Sequence, residues 1–256
     1  MTAGPFPERF QAWVAALERR HLRELTFAEV RRALQALSSL YVQRRGRLAR
    51  GAALDGAGKR AAFALFYGPL HFLLVREVVR ALGAHAPPPR EILDLGCGTG
   101  VGGAAWAVEA RGAPAVHGID VSAWAVEEAR FTLRQLGLRG DVRKGRAEQA
   151  PPPARGGAVI AAFTLNEMEE GGRERALEGL LEAAAGGARV LVVEPIAGGV
   201  SPWWTKWAPR FTAAGGRADE WRFRVPLPDL VSRLDRAARL DHGELTARTL
   251  WLPSVR

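Results

Sequence analysis

The sequence has a single cysteine, few lysines and no long uninterrupted apolar run. Cys97 is the one cysteine among 256 residues, so neither an intrachain disulfide nor a cysteine-based zinc or iron–sulfur site can form. No run reaches the roughly 18 apolar residues that a membrane span needs. The first residues also lack the apolar core of a secretory signal. These absences predict a cytoplasmic protein with no metal site and no membrane partner.

Most of the positive charge comes from arginine. The net charge is +9 and only three lysines are present, Lys59, Lys144 and Lys206. A basic surface can attract RNA by releasing counterions from its phosphates. A solvated arginine surface that reflects a GC-rich genome is the other interpretation. Both remain open from composition alone.

The order of sequence patterns predicts two parts. Residues 1–86 have apolar residues at helical spacing and are expected to form an N-terminal helical cap subdomain. Thr26 and Glu29 form a capping box for a helix through Leu40, and Gly68-Pro69 predicts a break in a later helix. The arginine- and glycine-rich stretch 44–58 is expected to be a loop. Residues 87–256 are expected to form the second part.

Short apolar strands alternate with helical patterns in the second part. This alternation predicts an α/β fold, a Rossmann-like and mainly parallel doubly wound sheet, because parallel strands need crossover helices. Strands are expected at 92–95, 115–120, 142–144, 158–165, 189–194, 221–225 and 245–252, and helices at 101–110, 122–136, 173–185, 203–212 and 228–240.

The segment Glu91–Gly100, with the sequence EILDLGCGTG, is the central motif. A predicted strand ends in glycines 96, 98 and 100, which let the backbone turn tightly and approach a ligand. Ligands bind at this carboxyl edge of parallel strands. Asp120 ends the next predicted strand, where a carboxylate can accept hydrogen bonds from both hydroxyls of a ribose. The motif therefore predicts a nucleoside-containing cofactor.

Asp94 distinguishes between two such cofactors. Gly98, Gly100 and Gly103 also satisfy the dinucleotide fingerprint, so the glycines alone are a weak signal. A dinucleotide brings its pyrophosphate to the helix N-terminus, where the carboxylate of Asp94 would repel it. S-adenosylmethionine (SAM) has no phosphate and carries a sulfonium and an ammonium group. The pattern favours SAM, with a dinucleotide or a ligand-free glycine turn as the alternatives.

This motif set resembles the class I SAM-dependent methyltransferases. A narrower resemblance is to the small-ribosomal-subunit methyltransferase-like family, which includes a mitochondrial small-subunit assembly factor and bacterial relatives. It spans roughly residues 38–200. The segments that carry it are Ser39–Tyr41 to Arg45, Lys59–Phe63 to Pro69, the glycine motif with Trp106, Phe163–Met168 and Val192–Pro195. The mitochondrial members carry cluster-binding cysteines that this chain does not have.

The resemblance implies a site at the carboxyl edge of the sheet. Asn166 and Glu167 directly follow an apolar strand, so they are expected to face the methyl acceptor or to cap the next helix. His71 is expected to act as a base or to be structural. The expected catalytic residues are Glu167, Asn166 and His71, and the expected cofactor-binding residues are Asp94, Gly96, Cys97, Gly98, Gly100, Asp120, Val121, Ala147, Glu148, Ala162 and Phe163.

Three functions follow as hypotheses. The first is methyl transfer from SAM to ribosomal RNA or a ribosomal component, with S-adenosylhomocysteine (SAH) as the second product. The second is methyl transfer to a small molecule in a pocket closed by the N-terminal helices. The third is a SAM-binding ribosome-assembly protein without turnover. A basic face beside the pocket would favour the first, and a closed aromatic pocket the second.

Overall fold

The computed structural model describes residues 6–43, 54–112, 114–196 and 202–254. The loop predicted at 44–58 falls largely outside these ranges. The helices are α1 (Phe6–His21), α2 (Phe27–Gln43), α3 (Ala57–Ala62), α4 (Gly68–Ala81), α5 (Val101–Glu109), α6 (Ala123–Gln135), α7 (Glu170–Ala185), α8 (Trp204–Ala213) and α9 (Asp229–Ala238). The strands are β1 (Glu91–Leu95), β2 (Ala115–Asp120), β3 (Gly140–Lys144), β4 (Ala158–Ala162), β5 (Arg189–Glu194), β6 (Arg217–Phe223) and β7 (Leu245–Leu252).

The strands form one seven-stranded sheet in the order β3-β2-β1-β4-β5-β7-β6. Strands β1 to β5 pair in parallel, whereas β7 is antiparallel to both β5 and β6. The predicted Rossmann-like, mainly parallel sheet is therefore confirmed. Strand β4 ends at Ala162, three residues before the predicted end, because Phe163 has φ 57° and cannot continue an extended strand.

Helices cover both faces of this sheet. A large apolar cluster joins β1 to α1, α4, α5 and α9 on one face, and a second cluster joins β4 and β5 to α7 and α8 on the other. Burial on two sides explains why β5 is apolar along nearly its whole length. Packing on both faces holds the strands in place, so the positions of their carboxyl ends are fixed.

The N-terminal helices pack into the same core as the sheet. Phe10, Trp13 and Phe72 are buried, and their ring centroids lie 5.2–5.7 Å apart. The predicted capping box is present at the start of α2, since Thr26 N–H donates to Glu29 Oε2 at 2.8 Å and Glu29 N–H donates to Thr26 Oγ1 at 3.3 Å. These contacts fix the cap helices above the sheet.

A π-helical turn at Phe63–Tyr67 joins α3 to α4. Gly68 N–H donates to the Phe63 carbonyl, five residues back, and Pro69 follows without an N–H of its own. The break predicted at Gly68-Pro69 is thus a widened turn. The stretch Ala57–Ala81 is long and apolar enough to cross a membrane, but 72% of its apolar window is buried inside the protein, as in a core helix.

Candidate functional site

The glycine loop between β1 and α5 has a backbone that only glycine adopts easily. Gly96, Gly98 and Gly100 have φ values of 62°, 52° and 77°. A Cβ atom on Gly96 would lie 2.2 Å from Thr164 Cγ2, and one on Gly100 would lie 2.9 Å from the Cβ of Ala129. A Cβ on Gly98 would meet nothing within 4 Å. Gly96 and Gly100 are therefore closely packed against neighbouring atoms, whereas Gly98 in the middle of the loop adjoins open space.

Asp94 lies beneath this loop. Its side chain is buried, and Oδ2 accepts a hydrogen bond of 2.7 Å from Gly103 N–H in the first turn of α5. Burial raises the pKa of Asp94 to about 7, and the hydrogen bond from Gly103 opposes this rise. The carboxylate thus occupies the helix N-terminus that would hold a pyrophosphate in a dinucleotide site.

Asp120 lies at the carboxyl end of β2 and reaches back to the glycine loop. Its Oδ2 accepts Gly98 N–H at 2.9 Å and its Oδ1 accepts Ser122 N–H at 2.8 Å. Burial raises the pKa of Asp120, and backbone donors at Ser122, Gly98 and Val121 oppose this rise. The next residue, Val121, is 44% exposed, which is unusual for a large apolar side chain.

The turn after β3 brings the next two predicted residues to the same edge. Ala147 and Glu148 form a short 3₁₀ turn with Gln149. Glu148 Oε1 accepts a 2.8 Å hydrogen bond from Arg146 Nε, and its side chain is only 3% exposed. Glu148 is therefore already paired with a cation. Its predicted contact with the cofactor stays a prediction.

The segment after β4 is tied directly to the glycine loop. Thr164 Oγ1 donates to the Gly96 carbonyl at 3.0 Å and also contacts the Ala162 carbonyl at 3.1 Å. Phe163 N–H donates to the Val193 carbonyl at 2.8 Å. These bonds hold Phe163 in its left-handed conformation. Strained backbone of this kind persists only where the surroundings impose it, and it is often found at functional sites.

Both the nitrogen and the oxygen of the Asn166 side-chain amide are hydrogen-bonded. Its Nδ2 donates to Glu194 Oε2 at 2.7 Å, and its Oδ1 accepts Trp203 Nε1–H at 2.9 Å. Glu194 Oε1 also accepts Leu165 N–H at 2.9 Å. Burial raises the pKa of Glu194 to about 8, against the opposing effect of these backbone donors. The geometry gives Asn166 a positioning role, and its predicted catalytic role stays a prediction.

Sequence reasoning did not identify Glu194 as a positioning group. The one available signal was a charged residue that ends the continuous apolar run of β5.

Glu167 follows on the same turn, at an exposed position. Burial of its carboxyl group nevertheless raises the pKa of Glu167 to about 7, and the charge of Asp120 adds to the rise. A carboxyl group with a pKa near neutrality suits proton transfer. The predicted catalytic role of Glu167 thus remains a prediction that its surroundings favour.

His71 on α4 lies on the side of the candidate site that faces the N-terminal helices. Its ring stacks on Phe163 with centroids 3.9 Å apart and planes 18° from parallel. Burial, and then the nearby His242, lower the pKa of His71 to about 3. A neutral, weakly basic imidazole suits stacking better than proton transfer. Its predicted role as a base stays a prediction.

A row of aromatic rings runs from His71 across the cap. Phe63 lies 6.2 Å from His71 and 6.4 Å from Trp124 at the start of α6, measured between ring centroids. A groove of about 690 Å³ opens beside Trp124, between the cap helices and α6. The groove is lined by Arg19, Arg20, His21, Arg23, Glu24, Leu25, Ala57, Arg60, Trp124, Glu128 and Phe131. A basic and aromatic surface therefore adjoins the carboxyl edge.

Within the described ranges, no cluster of three or more histidine, cysteine, aspartate or glutamate side chains is arranged to hold a metal ion. Cys97 is buried in the glycine loop, and this burial is the main cause of the raised pKa of its thiol. The Thr99 hydroxyl in the same loop is buried and has no hydrogen-bond partner among the described residues. A buried orphan hydroxyl beside the open middle of the loop fits a polar ligand there.

Known proteins support the assignment that this geometry indicates. Residues 92–187 match the family described as a methyltransferase domain. No curated protein matches the chain. A putative O-methyltransferase from Nostoc punctiforme is 13% identical, with a TM-score of 0.54 over 95% of this chain and 72% of that one.

A second similar structure is the plantazolicin methyltransferase BpumL in complex with SAH. It is 14% identical, with a TM-score of 0.52 over 87% of this chain and 99% of that one. At such identities the two structures establish the fold. The matched domain makes this chain a SAM-dependent methyltransferase with SAM as its cofactor, and the two structures show its Rossmann-like class I fold.

Proposed function

We propose that the glycine loop and Asp120 hold SAM, and that the chain transfers its methyl group to a base of RNA, with small-subunit ribosomal RNA as the expected acceptor. In this assignment Asp120 accepts hydrogen bonds from the ribose hydroxyls. The backbone from Gly96 to Gly100 lies along the methionine part, and Val121 and Ala147 flank the adenine. The observation that carries the cofactor assignment is the contact of Asp120 with Gly98 N–H, which joins the β2 carboxylate to the open middle of the loop.

The residues around the methyl group have mainly to position the acceptor. Bound SAM supplies a methyl group on a positively charged sulfur, which departs as a neutral thioether. Asp94, Asp120 and Glu167 place negative charge around this cation. Phe163 and His71 form an apolar wall that excludes water. Orientation and exclusion of water are the effects that accelerate such a displacement.

The aromatic row supports a planar acceptor. Rings from His71 to Trp124 lie at the same sheet edge as the glycine loop, and planar bases stack on such side chains. The groove beside Trp124 adds arginines that can pair with phosphates. A base that belongs to a polynucleotide fits both features. The resemblance to a ribosomal family points to the same class of acceptor.

The test is methyl transfer from radiolabelled SAM to small-subunit ribosomal RNA transcribed without modifications. We expect one labelled nucleotide per RNA, with a rate that falls steeply as salt is raised. Replacing Arg19 and Arg60 together by Gln should weaken RNA binding several-fold and leave SAM affinity unchanged. Arg210→Gln, on the far face of the sheet, is the matched control and should behave like wild type.

Other outcomes would redirect the assignment. SAM turnover with small aromatic hydroxyl compounds, and none with RNA, would favour the small-molecule hypothesis. Binding of SAM and RNA without any SAH formation would favour an assembly protein. A cytoplasmic location is part of the same proposal, since ribosomal RNA is the expected acceptor.

A further inference from the structure

Asp235 and His242 form a hydrogen-bonded pair on the cap side of the sheet. Asp235 Oδ1 lies 2.6 Å from His242 Nδ1, and Asp235 Oδ2 accepts His242 N–H at 3.2 Å. The Asp235 side chain is 12% exposed and that of His242 is 30% exposed. Since the carboxylate accepts from Nδ1, it fixes the tautomer in which Nε2 has a free lone pair. Among the described residues, no hydrogen-bond partner contacts this Nε2 atom.

The sheet register places this pair at the carboxyl edge. His242 lies in the loop 239–244, which leads from α9 into β7. The last residue of β5, Glu194, pairs with Arg248, so the first residues of β7 project beyond the end of β5. Strand β5 runs parallel to the strand that carries the glycine loop. The loop with His242 therefore lies at the same edge as the cofactor site.

The cap connects His242 to the wall of the acceptor site. The His242 ring meets Phe66 edge-on, with centroids 5.1 Å apart. His242 is also close enough to lower the pKa of His71, the residue that stacks on Phe163. Asp235 is close enough to raise the pKa of Tyr67, although burial is the main cause of that rise. Side chains from three separate elements thus converge around His71, whose ring in turn stacks on Phe163.

We propose that His242, oriented by Asp235, accepts the proton that the acceptor atom loses on methylation. This inference rests on the proposed function and adds the group that completes its chemistry. The acceptor's N–H or O–H bond breaks, and the proton goes to Nε2 of His242. The freed electron pair forms the bond to the methyl carbon, while the electrons of the carbon–sulfur bond pass to sulfur. The positive charge of the sulfonium is thus exchanged for that of an imidazolium stabilised by the Asp235 carboxylate.

Two other candidates serve this role less well. His71 is a weak base with a pKa of about 3, so it accepts a proton poorly at neutral pH. Glu167 lies within the electrostatic reach of Asp120, on the cofactor side of Phe163. The charged or titratable groups near His242 are Asp235 on α9 and His71 on α4, with Tyr67 near Asp235. Asp241 and Glu244 lie on its own loop, where they contact Gly243 and Arg222.

The experiment uses sinefungin, a SAM analogue with an amine on the carbon that replaces the methylated sulfur, and SAH as its uncharged counterpart. The amine of sinefungin points to the place of the acceptor atom. The free lone pair on Nε2 of His242 accepts a hydrogen bond from this ammonium, which SAH lacks. Wild type should therefore bind sinefungin about tenfold more tightly than SAH.

His242→Gln should remove this preference for sinefungin, and Asp235→Asn should reduce it. His117→Gln is the matched control, because His117 also pairs with an aspartate, Asp141, but on β2 and β3 away from the cap. Its preference should equal that of wild type. Thermal unfolding of each variant separates a local effect from loss of the fold, and the two variants of the pair test the proposal independently.

An unchanged preference for sinefungin in His242→Gln would overturn the proposal. So would loss of this preference in Glu167→Gln, because the ammonium would then pair with Glu167. Failure of wild type to bind either compound would instead refute the proposed function itself. That failure is recognisable before any variant is compared.

Discussion

The two halves of the site are built in different ways. The cofactor half is assembled from neighbours in sequence, since Asp94 contacts Gly103 nine residues on and Gly98 contacts Asp120 twenty-two residues on. The acceptor half is assembled from distant segments, such as His71 against Phe163. Local assembly leaves a motif in the sequence, whereas distant assembly leaves only single residues. The cofactor is therefore identifiable from the sequence and the acceptor wall is not.

The largest expected effect is a loss of SAM affinity when the cofactor half is disrupted. Asp120→Ala removes the proposed ribose acceptor and the partner of Gly98 N–H. Loss of two charge-assisted hydrogen bonds of about 1.5 kcal/mol each should weaken SAM binding about a hundredfold, measured by calorimetry. Asp141→Ala on β3 is the control, since that side chain is 65% exposed, and it should keep wild-type affinity. Equal affinities in the two variants would mean that the ribose contact is misplaced.

An intermediate effect tests the packing beneath the loop. A Cβ on Gly103 would lie 2.6 Å from Val116 Cγ1 and 3.0 Å from Asp94 Oδ2. Gly103→Ala should therefore lower the free energy of unfolding by about 1–3 kcal/mol in urea denaturation. Gly179→Ala, in open space on α7, should instead raise it by up to about 1 kcal/mol. Similar stabilities of the two variants would refute the close contact between α5 and Asp94.

The last effect depends on pH and concerns the carboxyl group that holds Asn166. The pKa of Glu194 is raised to about 8 in the folded protein, from an ordinary value of 4.5. Between these values the folded state binds more protons than the unfolded state, so stability falls as the pH rises from about 5 to 8. Glu194→Gln should flatten this fall in the unfolding temperature, although the variant is less stable because its amide faces Asn166 Nδ2. An equally steep fall in the variant would assign the titration to other groups.

The sequence predicted the sheet well because each parallel strand and its helix form a local pattern. Strand β4 was placed correctly, but its end was not, since Phe163 looks like a strand residue and is turned by bonds to distant backbone. Strand β6 begins at Arg217, four residues before the predicted start, because its exposed polar residues hide the alternation of a strand. Long-range contacts decided both boundaries.

The candidate site shows the same difference between local patterns and long-range contacts. Glycines 96, 98 and 100 and Asp120 lie together as their spacing predicts. Asn166 forms hydrogen bonds with Glu194 and Trp203, and the spacing of neighbouring residues does not predict these contacts. Asp235 and His242 are only seven residues apart, but their place in the fold depends on the distant contact of His242 with Phe66. Such groups become candidates only once the fold places them at one edge.

The most direct test of the central claim is a calorimetric titration of the protein with SAM, SAH and NAD. Because Asp94 occupies the N-terminus of α5, a pyrophosphate has no place there, whereas a sulfonium cofactor does. We predict saturable binding of SAM and SAH, with one molecule per chain, and no binding of NAD. Binding of NAD without a response to SAM would contradict this account of the glycine loop.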